Sequence, residues 1–159
     1  MGVTVTSTTT KRALEHAERQ CADSGRRLTE KRRQVLAGLL ESDKALSAYE
    51  LADVCREKLG ADLLPMSVYR ILAFLEDADL VHRLNLANKY VACSHIACDH
   101  AHESPQFLIC KSCHHVSEVA FPRTTINSIA KTIDAAGYQL ASDQLEVDCL
   151  CHSCAGAGA

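Results

Sequence analysis

Two pairs of cysteines carry the clearest chemical signal in this sequence. Each pair is separated by two residues, Cys110 with Cys113 and Cys151 with Cys154. A C-x2-C turn holds two thiolates near a single metal ion, and two such turns complete a tetrahedral four-sulfur shell with no open position for catalysis. Thiolates are soft ligands that suit zinc. The spacing therefore predicts one structural zinc ion. The alternative, a redox dithiol, is disfavoured because neither pair sits at the strand-to-helix turn of a βαβ unit.

A second set of possible ligands surrounds the middle of the chain. His82 and Cys93 stand at the ends of two predicted antiparallel strands, so a hairpin would bring them together. His102 and Glu118 would approach from a linker and from the second half of the chain. A mixed nitrogen, sulfur and oxygen shell would bind more weakly than four thiolates and would stabilise only the closed arrangement, as a reversible sensor requires. The alternative is that His82 packs or hydrogen-bonds locally and the linker histidines are solvated.

Composition limits the class of protein. Seven of the nine cysteines and six of the eight histidines fall within residues 93–154. The first ten residues lack the apolar stretch of a signal peptide, and no apolar run is long enough to span a membrane. We therefore expect a cytoplasmic protein, in which clustered cysteine and histidine favour metal over disulfides. The net charge of −3 does not indicate nucleic-acid binding, but five basic residues crowd into residues 26–33, so any such contact would be local.

The elements that must position these residues fall into two groups. Before residue 93, apolar residues at helical spacing predict four helices, followed by short strands at 80–84 and 89–93. A capping box at Ser47 and Glu50 and a proline at position 65 mark the starts of the third and fourth helices. This order of helices and hairpin predicts a winged helix-turn-helix.

The second half of the chain predicts a small α+β unit. Its expected strands cover residues 107–110, 116–120, 138–140 and 145–149. Its one helix, ended by Gly137, has an apolar stripe of four residues, Ile126, Ile129, Ala130 and Ile133. Such a small unit cannot bury its apolar surface alone, so we expect dimerisation. Cys149, on the last strand, is expected to face the core.

The predicted fold class is therefore α+β, with an N-terminal winged helix-turn-helix DNA-binding domain and a small α+β dimerisation domain. The expected boundaries are a disordered tail at 1–10, a winged-helix domain at 11–86 with its hairpin reaching about 93, a metal-binding hinge at 87–104, and a dimerisation and structural-zinc domain at 105–159.

Several short motifs, in this order, resemble the ferric uptake regulator family and, within it, the zinc-responsive branch. They cover nearly the whole chain, from about Ala13 to Cys154. The motifs are Arg27-Leu28-Thr29 with Arg32, Ser47-Ala48-Tyr49-Glu50-Leu51, Ser67-Val68-Tyr69-Arg70, Leu80-Val81-His82, Tyr90-Val91-Ala92-Cys93, Ile109-Cys110-Lys111-Ser112-Cys113 and Cys151-His152-Ser153-Cys154.

The resemblance implies a homodimeric repressor that binds AT-rich palindromic operators when loaded with metal. It implies a structural zinc on the two cysteine pairs and a regulatory zinc held by His82, Cys93, His102 and Glu118. The sulfur of Cys93 shifts the expected preference from iron or manganese towards zinc. The linker is richer in cysteine and histidine than the family pattern requires, so His100 could replace His102. A further, weaker metal site could also form there, from His95, Cys98 and His100.

One face of the fourth predicted helix is suited to DNA. Its apolar stripe runs through Val68, Ile71, Leu72 and Leu75, which leaves Ser67, Tyr69 and Arg70 on the other face. The resemblance places Tyr69 and Arg70 in the major groove, where an arginine can bond guanine and a tyrosine ring can lie against a thymine methyl. Phosphate contacts are expected from the basic cluster, Arg26, Arg27, Lys31, Arg32 and Arg33. The alternative for Tyr69 is a position in the core. The alternative for the basic cluster is that its side chains are simply solvated and contact no DNA.

Asp53 and Arg56 lie one turn apart on the third predicted helix. They could pair within that helix or between two dimers on adjacent operators, and the sequence does not choose.

The sequence thus predicts zinc-responsive repression of genes for zinc acquisition, with one structural and one regulatory zinc ion per chain. It predicts no enzymatic activity, no small-molecule substrate and no association with a membrane. An iron, manganese or peroxide sensor of the same fold is the alternative within the class. A zinc-binding thiol enzyme is a rival from another class, but no nucleophile–base spacing and no glycine-rich phosphate loop supports it. A structural zinc module that binds proteins is a third possibility. The Tyr69-Arg70 face argues against it, because these side chains are suited to binding DNA.

Overall fold

The first unit of the chain contains four helices followed by a β-hairpin. In this computed structural model, which describes residues 7–97 and 104–157, the chain divides into residues 1–99 and 100–159. The elements of the first unit are α1 (Thr8–Asp23), α2 (Glu30–Leu40), α3 (Ala48–Leu59), α4 (Pro65–Asp77), β1 (Val81–Leu84) and β2 (Lys89–Ala92). The division falls inside the segment 87–104 that the sequence assigned to the hinge. Cys98, His100 and His102 lie outside the described residues.

The start of α3 is fixed both locally and by the hairpin. The Ser47 hydroxyl accepts from the Glu50 N–H, and the Glu50 carboxylate accepts from the Ser47 N–H at 2.7 Å, which is the predicted capping box. Leu46, just before it, exchanges two backbone hydrogen bonds with Tyr90 of β2, at 2.8 and 3.0 Å. The Lys89 ammonium lies 3.0 Å from the Glu50 carboxylate. The hairpin and the start of α3 are therefore tied together through both backbone and side chains.

The predicted disordered tail at 1–10 is wrong for its last three residues, because α1 begins at Thr8. The Ser7 hydroxyl accepts a hydrogen bond from the Thr10 N–H at 3.2 Å, and the two hydroxyls lie 2.8 Å apart. Thr10 is buried, so its polar side chain needs such a partner. Ser7 therefore caps α1, and its hydroxyl also pairs with the hydroxyl of Thr10.

The core of the first unit is aliphatic, as the lack of tryptophan predicts. Its fully buried side chains include Val35, Leu36, Leu51, Leu72, Leu75 and Leu80. Two cysteines, Cys21 and Cys55, pack among them. Burial raises the pKa of Cys55 to about 11, so this thiol stays neutral and belongs to the core.

The second unit is a three-stranded sheet with two helices. Its elements are β3 (Gln106–Cys110), β4 (Val116–Val119), α5 (Arg123–Ala135), β5 (Leu145–Cys149) and α6 (His152–Ala157). The strand order is β4-β3-β5, with β4 antiparallel and β5 parallel to β3. The register places Cys110 opposite Cys149, so β3 and β5 end at the same edge. The chain reaches both cysteine pairs from that edge.

The strand predicted at residues 138–140 does not form. The Tyr138 N–H instead bonds to the Ile133 carbonyl at 3.1 Å, which closes α5 in a Schellman-type turn. Gly137 makes this possible with a φ of 86°, a region that favours glycine. The apolar pattern of Tyr138–Leu140 thus belongs to the helix exit.

A buried amide holds the loop before β5. Gln106 donates from Nε2 to the Ser104 and Asp143 carbonyls at 2.9 and 3.2 Å, and its Oε1 accepts from the Phe121 N–H at 2.9 Å. Gln106 is almost completely buried, and these bonds satisfy its amide. The sequence did not single out this residue. Among the described residues, no helix combines the length and the apolar character needed to cross a membrane.

Candidate metal centre and nucleic-acid interface

The four cysteines of the two C-x2-C pairs come together at one edge of the second unit. Cys110 ends β3, Cys113 lies in the turn to β4, Cys151 follows β5, and Cys154 lies in α6. Their sulfur atoms all lie within 4.8 Å of one another. Four sulfurs about 2.3 Å from a shared zinc ion would be about 3.8 Å apart, which lies within this limit. The fold therefore brings the four predicted ligands together.

Backbone hydrogen bonds shape the four-cysteine cluster. The Cys151 N–H points at the Cys110 sulfur at 3.4 Å, and the Ala155 N–H bonds to the Cys151 carbonyl at 2.8 Å. The β3–β4 turn is closed by the His114 N–H on the Cys110 carbonyl at 2.9 Å, with His114 in the left-handed region at a φ of 62°. N–H donors on sulfur favour thiolates, the form that binds metal.

If the four cysteines lose their protons, a cation is needed to balance their negative charge. Backbone hydrogen bonds from Cys113 and Cys151 lower the pKa of Cys110 to about 6, so a first thiolate forms readily. A side-chain hydrogen bond with Ser112 lowers the pKa of Cys154, but the thiols of Cys151, Cys113 and Cys110 outweigh it and raise the value to about 11. Like charges this close cannot all form without compensation. A divalent cation would supply it, so these residues fit zinc.

Cys149 takes no part in the cluster. It lies opposite Cys110 in the sheet but is only half-buried, and its thiol donates to the Val147 carbonyl at 3.5 Å. The expectation that Cys149 faces the core is therefore wrong.

His82 and Cys93 come together in the first unit. His82 lies opposite Val91 in the hairpin, and the Cys93 N–H bonds to the Leu80 carbonyl at 2.9 Å. Side chains alternate along a strand, so this register puts His82 and Cys93 on one face. Their possible ligand atoms lie within 4.8 Å of each other, and Cys93 is only 2% exposed. Two of the four predicted regulatory ligands thus form a preorganised pair.

Of the other two predicted regulatory ligands, Glu118 belongs to the second unit and His102 lies outside the described residues. Glu118 lies on β4 of the second unit, opposite Phe107. His102, its predicted substitute His100, and Cys98 are outside the described residues. His95 is described, and its Nδ1 lies 3.2 Å from the Ser94 hydroxyl. The regulatory set and the extra site therefore remain predictions.

The outer face of α4 carries the residues predicted to contact DNA. Val68, Leu72 and Leu75 are buried, as predicted, whereas Arg70 is exposed. Tyr69 is half-buried and packs against the core, and its ring meets the Tyr49 ring edge-on at 6.3 Å. Tyr49 is 62% exposed, and the sequence did not single it out. The pair extends the outer face of α4 onto the start of α3.

The basic cluster is not uniform. The Arg32 guanidinium lies 3.6 Å above the Phe74 ring and donates to the Arg27 carbonyl at 2.7 Å. Arg33 pairs with Glu18 at 3.3 Å. Arg27 and Lys31 are exposed. Part of the cluster therefore holds the start of α2 in place, while the rest faces outward.

Asp53 and Arg56 form an ion pair within α3. The sequence left open whether the two residues pair within the helix or between two dimers, and in this single chain they pair within the helix.

A winged helix combined with a separate unit built around four cysteines defines a class of metal-binding, DNA-binding proteins. A model of the ferric uptake regulator family matches residues 23–148, most of the chain. This chain belongs to the ferric uptake regulator family.

Individual relatives agree with this assignment. The zinc uptake regulation protein of Escherichia coli (strain K12) is 36% identical over 148 residues, which covers 92% of this chain and 84% of that protein. A solved zinc uptake regulator complexed with zinc and DNA matches with a TM-score of 0.80 and 33% identity, over 96% of this chain and 99% of that one. The crystal structure of holo XcZur matches with a TM-score of 0.72 and 37% identity, over 90% and 96% of the two chains. The predicted α+β fold class and family resemblance are confirmed.

Proposed function

We propose that this protein is a zinc-responsive transcriptional repressor that binds DNA and controls genes for zinc uptake. The observation that carries the proposal is the likeness, over nearly the whole chain, to a zinc uptake regulator solved with zinc and DNA. The family is one of transcriptional regulators, so we infer a regulator without catalytic activity, acting in the cytoplasm. The first unit would bind DNA, and the second would hold the structural zinc and form the dimer.

The four-cysteine cluster would hold the structural zinc. Its four sulfurs leave no ligand position open, so the ion would cross-link β3, β5 and α6 instead of reacting. A regulatory zinc would be held by His82, Cys93, His102 and Glu118. Support comes from the His82–Cys93 pair, whose imidazole and thiol form a donor set suited to zinc. Because this shell would draw ligands from both units, its occupancy would favour one arrangement of them for DNA.

Homodimerisation through the second unit follows from its unburied apolar surface. No described residue of α5 is fully buried, although Ile126, Ile129 and Ile133 form one apolar face. Tyr138 and Leu150 are also largely exposed. A twofold dimer would cover these side chains with the same face of a second copy. It would also present two α4 helices to a palindromic, AT-rich operator.

A gel-shift titration on DNA from the protein's own promoter region tests the function. We expect submicromolar free zinc to convert a weakly binding dimer into a tightly binding one, with the structural zinc left in place. Ferrous iron and manganese, run in parallel, should be much less effective. Arg70→Ala should fail to bind with any of the three metals, because Arg70 is an exposed base-reading candidate on α4. Binding restored by iron or manganese but not by zinc would refute the metal assignment, and no metal-dependent binding at all would refute the repressor.

The basic cluster gives a second test, because Arg27 and Arg32 should behave differently. Arg27→Gln should reduce the slope of log affinity against log salt by about two in a symmetric dimer, one phosphate contact per chain, and leave the melting temperature unchanged. Arg32→Gln removes the charge and the stack on Phe74, so it should lower the melting temperature and keep the slope. The reverse pattern would show that Arg32, and not Arg27, contacts the phosphates.

A further inference from the structure

The start of α4 exposes apolar side chains where a helix usually carries a polar cap. The N-cap residue, Leu64, makes no side-chain capping bond, and Pro65 opens the helix. Leu64 is 71% exposed and Met66 is 65% exposed. Serine, threonine, aspartate or asparagine at the N-cap would satisfy a free N–H and stabilise the helix. The chain forgoes that stabilisation and leaves two large apolar groups in water.

Met66 lies on the same helical row as the proposed base-reading residues. Tyr69 and Arg70 follow it by three and four positions, and residues so spaced are neighbours on one helix face. Arg70 is exposed, and Arg27 and Lys31 of the same unit are exposed cations. The positive charge of Arg70 beside Met66, together with the other exposed cations of this unit, favours a polyanion over an apolar protein partner. Met66 is therefore an uncharged, flexible side chain within a surface suited to DNA.

We propose that Met66 is a specificity-determining residue that packs against the 5-methyl group of a thymine in the major groove. The inference rests on the proposed function, since it requires α4 to enter DNA. The thymine methyl is the apolar group among the base-edge features of the major groove. A thioether side chain without hydrogen-bond donors can recognise it by close packing alone. Met66 thus adds selection for thymine to the hydrogen bonds available from Arg70.

Uracil-substituted DNA tests this contact without knowledge of the operator. The promoter fragment is amplified with either thymidine or deoxyuridine triphosphate, which changes the methyl groups and leaves the hydrogen-bonding edges intact. The zinc-loaded full chain is titrated against both. Burying one methyl group is worth about fourfold in affinity, so two contacts in a symmetric dimer are worth about fifteenfold. The unaltered protein should therefore prefer the thymine fragment by at least about fifteenfold.

Two variants assign that preference to Met66. Met66→Ala should bind the thymine fragment about fifteenfold more weakly and the uracil fragment almost as well as before. Met66→Leu keeps an apolar group of similar size and should retain most of the preference. Because Met66 is exposed, both variants should keep their zinc content and melting temperature.

The outcomes separate this inference from the function on which it rests. If Met66→Ala keeps the full thymine-to-uracil ratio, Met66 does not read the methyl group, although the protein remains a zinc-dependent DNA binder. If the unaltered zinc-loaded protein binds its promoter no better than random DNA, both the proposed function and the role of Met66 are overturned.

Discussion

Replacing Cys113 with serine should remove one zinc ion per chain and unfold the second unit. Its described sheet has three short strands, and only Phe107 and Cys110 among its apolar side chains are buried. A structural zinc binds with about 10–16 kcal/mol in small zinc-folded peptides. That is comparable to the whole stability of an ordinary domain, about 5–15 kcal/mol. Zinc content by mass spectrometry, circular dichroism and sedimentation should show zinc loss, unfolding and loss of the dimer.

Cys149→Ser is the matched control for this change. Cys149 is also a partly exposed thiol at the same sheet edge, but its sulfur faces the Val147 carbonyl and not the cluster. The variant should keep its zinc content, its melting temperature and its dimer. If Cys149→Ser lost zinc and Cys113→Ser did not, the ligand at this end of the sheet would be misassigned.

Replacing Cys93 with serine should separate metal sensing from folding. We expect the variant to retain one zinc per chain, on the four-cysteine cluster, and to lose zinc-dependent DNA binding. A serine hydroxyl is a poor zinc ligand at neutral pH, so the His82–Cys93 pair would lose its sulfur donor. Equilibrium zinc content and the gel-shift titration described above measure the two effects separately.

Cys55→Ser provides the control for Cys93→Ser. Cys55 is a buried thiol of the same unit, and it donates to the Gln34 carbonyl at 3.7 Å, a bond that a serine hydroxyl can also make. Its variant should respond to zinc like the unaltered protein, even if it melts at a lower temperature. Full zinc-dependent binding by Cys93→Ser would remove Cys93 from the sensor.

The sequence predicted those parts of the fold that are determined by residues close together in the chain. The capping box at Ser47 and the proline at the start of α4 each act within a few residues. Periodic apolar residues then placed the four helices of the first unit, because a helix buries one face whatever packs on it. The strand predicted from the apolar pattern of residues 138–140 did not form. The Tyr138 N–H, which a strand would pair with its neighbour, bonds instead to the Ile133 carbonyl at the end of α5.

Features that depend on tertiary contact could not be predicted in this way. The bridge between Leu46 and Tyr90 joins residues far apart in sequence. The stacking of Arg32 on Phe74 joins two helices, so a residue expected to contact phosphate also makes a contact within the protein. No local periodicity marks either contact, because the first forms only when the hairpin packs on the segment before α3 and the second only when α2 packs on α4.

The same distinction between local signals and tertiary contacts applies to the candidate sites. The four-cysteine cluster was predictable because each C-x2-C turn is a local device, and only their meeting required the fold. The pairing of His82 with Cys93 was predictable from hairpin geometry. Tyr49 was missed because its partner, Tyr69, lies on another helix. The remaining regulatory ligands rest on family resemblance.

The parallel pairing of β5 with β3 determines the order in which the second unit can be completed during synthesis. β3, β4 and the first cysteine pair leave the ribosome before α5, β5 and the second pair have been made. Until then a captured ion has two sulfur ligands, which makes it exchangeable with other thiols in the cell. Once β5 docks and brings Cys151 and Cys154 to the same edge, the shell closes. For the proposed structural zinc, the four-sulfur shell could therefore close only after nearly the whole chain has been synthesised.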